Sequence, residues 1–131
     1  MRYDKFIREV RDRSGIGDRD EAERTAVVVL QALSDRLVGG ETDDLLAQLP
    51  EPLKSSVTVT GEADRMAPEE FVQRVADELG LSPAEARTRI RAVFSAIRDA
   101  VTPGEFEDVL VELPKGYVEL LPEPAVSRGP V

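Results

Sequence analysis

Residues 21–50, EAERTAVVVLQALSDRLVGGETDDLLAQLP, return as residues 85–114, EARTRIRAVFSAIRDAVTPGEFEDVLVELP. About a third of these aligned positions are identical, and seven of the others exchange one apolar residue for another. Upstream, after a one-residue slip, Phe6, Val10 and Gly15 return as Phe71, Val75 and Gly80. A period of about 64 residues is longer than a solenoid unit, so it describes an internally duplicated domain rather than an open array. The matched positions are those that build helices: apolar residues three and four apart, glycine stops and leucine-proline ends.

In the first copy Ala22, Ala26, Val29, Leu30, Leu33 and Leu37 trace one wide apolar stripe. That stripe predicts a helix from Asp18 to Val38, with Asp18, Asp20 and Glu21 at its electropositive start and Gly39-Gly40 as its stop. The β-branched run Val27-Val28-Val29 favours a strand locally, but the length of the periodic segment outweighs it. In the second copy Ser82-Pro83-Ala84-Glu85 spells a capping box, which predicts a helix over Pro83 to Val101. Thr102-Pro103-Gly104-Glu105 reads as another capping box, opening a short helix through Phe106, Val109, Leu110 and Leu113. Its counterpart is Glu41 to Leu49, and a first amphipathic helix, Asp4 to Ser14, carries Phe6, Ile7 and Val10. Pro50 and Pro114 end the short helices, and the apolar codas after them, Leu53 and then Tyr117, Val118, Leu120 and Leu121, are expected to fold back as helical turns.

The expectation is an all-α, single compact helical bundle of two similar tandem halves, with about six to eight helices and both long helices central. Residues 1–121 form the domain: a first half 3–53, a linker 54–67 read as extended despite the alternation Val57-Thr58-Val59-Thr60, and a second half 68–121. Residues 122–131 hold three prolines and are expected to be a flexible tail.

The 131 residues carry a net charge of −9, a balance that disfavours nucleic acid and anionic membranes as partners. The chain has no cysteine and no histidine, which removes disulfides, thiolate chemistry and the usual general base. The longest uninterrupted apolar run, Ala26 to Leu30, is far short of a membrane span, and the first residues lack an apolar export signal, so a cytoplasmic protein is expected.

The order of these elements resembles a bacterial family catalogued as domain of unknown function 2267. The residues that carry the likeness are Phe6, Gly15, Glu21-Ala22, Gly40-Glu41, Leu49-Pro50, their second copies, and the closing run from Leu113 to Leu121. The resemblance implies an all-helical domain and brings no activity, cofactor or catalytic residue with it.

The residues themselves offer little chemistry. The acidic cluster at Asp18, Asp20, Glu21 and Glu23 fails a calcium-loop pattern, because Ala22 stands at the third alternate position and Glu23 where glycine belongs. Gly15-Ile16-Gly17-Asp18 lacks the lysine-hydroxyl pair of a phosphate cradle. Asp44 and Asp108 are mates across the repeat and form the tidiest carboxylate pair for acid–base or metal chemistry. Arg87, Arg89, Arg91 and Arg98 read as a solvated or internally paired face. Val27 aligns with Arg91, so one long-helix face is apolar in one copy and cationic in the other. That difference nominates Val27, Gln31 and Arg91 as a partner-binding patch; no residue is assigned as catalytic, cofactor-binding or metal-ligating, and no cofactor is expected. The function these features favour is a non-enzymatic interaction or assembly module, binding an unknown protein partner or itself. The alternatives are a carrier with an apolar cavity between the long helices and, last, an Asp/Glu-based metal-dependent hydrolase.

Overall fold

The computed structural model describes residues 1–59 and 63–121, so residues 60–62 and the tail 122–131 lie outside the described residues. Six α-helices run in order: α1 Tyr3–Ser14, α2 Arg19–Arg36, α3 Gly39–Ala47, α4 Pro68–Leu79, α5 Pro83–Ala100 and α6 Pro103–Glu112. A 3-10 turn, Lys54–Ser56, follows α3, and a longer one, Lys115–Leu120, follows α6. Helices of 12, 18 and 9 residues are thus followed by helices of 12, 18 and 10. There is no strand among the described residues, and residues 57–59 are extended without pairing. No helix among the described residues is long and apolar enough to cross a membrane.

Several boundaries follow the local chemistry. Gly15 and Gly80 take left-handed backbone conformations, φ 80° and 69°, and terminate α1 and α4; glycine alone enters that region without a Cβ penalty. Asp18 caps α2 through Asp20 N, and Ser82 with Glu85 makes both bonds of a capping box at α5. Gly39-Gly40 behaves differently from expectation. Instead of stopping α2 it forms the first turn of α3, because the chain turns earlier, at extended Leu37 and Val38.

The two halves do not stand side by side with separate interiors. α1 packs most extensively on α5, the long helix of the other half, and α2 packs on α4. Phe6, Ile7 and Val10 therefore join Ile90, Val93 and Ile97 in one continuous core. Each such side chain contributes about 1.5–3 kcal/mol when fully removed from water. α5 is the hub, touching α1, α2, α4, α6 and the second 3-10 turn. Phe71 meets Phe94 and Tyr117 edge-on, with ring centres 6.0 and 5.6 Å apart. Polar ties also cross between halves: Arg74 to Asp35 at 2.7 Å, Arg13 to Asp99 at 3.2 Å, and Arg89 to both Glu21 and Thr25.

Candidate functional site

α3 and α6, the matching short helices, lie against each other and exchange caps. Gln48 at the end of α3 accepts a hydrogen bond from Thr102 N at the start of α6, 2.8 Å. Glu112 at the end of α6 accepts one from Val38 N at the start of α3, 3.1 Å. Gln48 and Glu112 are repeat mates, as are Val38 and Thr102, so the exchange is reciprocal and sets the helices antiparallel.

This exchange changes the role of Glu105. Thr102 Oγ1 accepts from Glu105 N at 3.2 Å, as the sequence predicts. The return bond is absent, because Gln48 already occupies Thr102 N. The second capping box is therefore half made, and the Glu105 side chain turns inward, where only 7% of the residue remains exposed. It meets Glu41, its own repeat mate. Carboxylate oxygens of Glu41, Asp44 and Glu105 all lie within 4.8 Å of one another.

Burial pushes the Glu41 carboxyl from 4.5 up to about 8, helped by its hydrogen bond to the Glu105 carboxyl and by the charges of Glu105, Asp108 and Glu112. Desolvation penalises the charged form and neighbouring anions add to that penalty. Oε2 of Glu41 and Oε2 of Glu105 are both shut off from water, and no amide, hydroxyl or guanidinium group donates to either. None of the ion pairs among the described residues brings an arginine or lysine to these acids. Carboxylates so placed need a proton or a cation between them.

The pair nominated from sequence, Asp44 and Asp108, flanks this junction rather than forming its centre. Asp44 belongs to the close trio, and Asp108 acts on Glu41 through its charge; both are exposed. Sequence reasoning missed the central members because Glu41 and Glu105 read as ordinary first-turn glutamates. The available signal was their i,i+3 spacing to Asp44 and Asp108 in both copies, which sets each pair on one helix face.

The nominated partner patch is used internally. Gln31 binds Thr58 twice, through its Nε2 to the carbonyl and its Oε1 from the N–H, both 2.9 Å, and so holds the linker against α2. Val27 is half-buried and packs on the core. Arg91 lies on α5 and donates to the Glu119 carbonyl at 2.7 and 3.2 Å, pinning the second 3-10 turn.

A more open apolar surface lies at the other end of α6. Leu110, Leu113, Tyr117, Val118 and Leu121, with Pro114 and Lys115, line a groove of about 400 Å³. Their counterparts show what is unusual here. Leu46 and Leu49 are buried, at 6% and 4% exposure, whereas Leu110 and Leu113 are only half-buried and Val118 is 66% exposed. The neighbouring cavity, which reaches Leu33, Phe94 and Ile97, holds about 10 Å³, room for a water at most.

The family model described as Uncharacterized conserved protein (DUF2267) matches residues 3–120, nearly the whole chain. The chain belongs to the DUF2267 family. No curated protein matches it. The DUF2267 match covers α1 through the second 3-10 turn, so the acidic junction and the groove both lie within the family domain.

Proposed function

We propose that this DUF2267 protein is a non-enzymatic helical interaction module, built from a duplicated unit and docking a partner segment in the groove between the end of α6 and the second 3-10 turn. The observation that carries the reading is the difference between the halves: the leucines buried at Leu46 and Leu49 are left open at Leu110 and Leu113. Apolar surface kept open at one of two equivalent places marks a binding surface. The fitting partner is an amphipathic segment that inserts apolar side chains over Leu110 and Leu113. An acidic group on it would face Lys115, the one charged residue among the described residues of the lining. Gln31 and Arg91 already hold the protein's own chain, which moves the docking face away from the patch around Val27. The cavity between the long helices near Phe94 is narrow and lends the carrier reading little support.

A photo-crosslinking residue placed at Val118 tests the reading in cells of the source organism, with mass spectrometry identifying the joined peptide. The expected result is one dominant amphipathic peptide, lost when Leu113→Asp is added to a chain that still melts cooperatively. Crosslinks that persist unchanged with Leu113→Asp, or that scatter over abundant proteins, refute it. A dominant peptide from a second copy of this chain identifies the module as self-assembling.

A further inference from the structure

Among the described residues the acidic junction between α3 and α6 holds the most unresolved chemistry. Helix starts commonly carry glutamates, and that alone signifies nothing. Glu105 is different: it is more than nine-tenths buried, it forgoes the return bond of its capping box, and its Oε2 receives no hydrogen bond from an amide, hydroxyl or guanidinium group. The peptide N–H groups of the helix starts do not serve it, since Glu105 N is committed to Thr102 Oγ1 and Thr102 N to Gln48. A buried carboxylate oxygen left in this state is costly unless something binds it.

We infer that Glu41, Asp44 and Glu105 form a binding site for one hard divalent cation, set between α3 and α6. The donors are all carboxylate oxygens, with no nitrogen or sulfur, which is the set preferred by calcium, magnesium and manganese. Spacing agrees with the chemistry. Two oxygens on opposite sides of an ion bound at about 2.4 Å are about 4.8 Å apart, and the three carboxylates offer oxygens all within 4.8 Å of one another. One ion therefore reaches all three with little movement. Three protein oxygens leave positions for water, and the exposed edge at Asp44 and Asp108 provides the way in. The ion would join one helix of each half, next to the reciprocal caps, so its effect is to clamp α3 to α6. Nothing in the trio is arranged to attack a substrate, and the role assigned is structural.

The full chain, stripped with a chelator and kept near neutral pH, is titrated with CaCl₂, MgCl₂ and MnCl₂ by calorimetry and by thermal melting. The expected result is one equivalent bound at or below about 1 mM, within the range of weaker protein calcium sites, with a rise in Tm. Glu41→Gln and Asp44→Asn should each weaken binding about tenfold or more while melting cooperatively without metal. Asp77→Asn, at an exposed position of α4, should bind as the wild type does. Manganese should broaden the NMR amide signals of Glu41, Asp44 and Glu105 before any others. No binding heat and no Tm change at about ten times that concentration would leave a carboxyl pair joined by a proton alone and overturn the inference. Broadening that begins at Asp18 to Glu23 would also overturn it.

Discussion

Replacing Glu105 by glutamine should stabilise the metal-free protein, an unusual outcome for a residue with only 7% of its surface exposed. Glutamine keeps the shape of the side chain, removes one negative charge from the junction and brings an N–H that can donate to Glu41. A buried polar atom without a partner costs about 1–3 kcal/mol. Glu41 keeps part of its surface in water, so screening brings the gain to the lower part of that range, about 1–2 kcal/mol at alkaline pH. For a chain of this size that is a Tm rise of roughly 3–8 °C. The sign with pH follows from Glu41, whose carboxyl is raised from 4.5 to about 8 in the folded protein. A group that binds its proton more tightly when folded contributes stability fully below its unfolded value, and that contribution is lost as pH rises through the folded value. Wild-type Tm should therefore fall between about pH 5 and pH 8.5, and Glu105→Gln should flatten the fall because Glu41 then loses its anionic neighbour. Melts followed by circular dichroism in chelator, at steps across that interval, measure both effects. A Glu105→Gln protein that melts lower than wild type at pH 8.5, or one with an unchanged pH slope, refutes the account of this junction.

Gly15→Ala and Gly80→Ala should each cost about 1–2 kcal/mol in urea denaturation, because both glycines are left-handed and no neighbour crowds a new Cβ; a loss below a few tenths contradicts this. Tyr117→Phe removes the 2.7 Å bond from the buried hydroxyl to the Met66 carbonyl and should cost about 1–2 kcal/mol in the same assay. An unchanged midpoint would mean that the bond to Met66 adds nothing. A chain ending at Lys54 should show no cooperative melt, since α1 and α2 would lose α5 and α4; a sharp transition would show that the first half has a sufficient core of its own.

The helices themselves were legible because their signals are local. Ser82 and Glu85 sit three apart and make both bonds of their box with no help from elsewhere. The same four-residue pattern at Thr102 was read the same way and is only half made, because Gln48 reaches the N–H from another helix. Periodicity marks which face of a helix is apolar, not which helix will cover it. Hence the stripe on α1 was clear, but its main partner being α5 was not. The acidic site was hidden for a related reason. Asp44 and Asp108 are repeat mates, but packing of α3 on α6 brings Glu41 and Glu105 together with Asp44 and leaves Asp108 acting on Glu41 through its charge. Gln31 reads from sequence as part of a partner-binding patch because a side chain that binds backbone, here Thr58, leaves no mark in composition or spacing.

The way α1 lies on α5 and α2 on α4 has a consequence for how the chain is held together. Each half presents surface that only the other half can cover, as the two subunits of an obligate heterodimer do. The linker's contribution is then a leash, keeping the halves at an effective concentration in the millimolar range. A protease cut in that leash would not scatter the pieces. Synthesised separately, residues 1–56 and 66–121 should find each other and restore one folded particle, and its stability, unlike that of the intact chain, would depend on dilution.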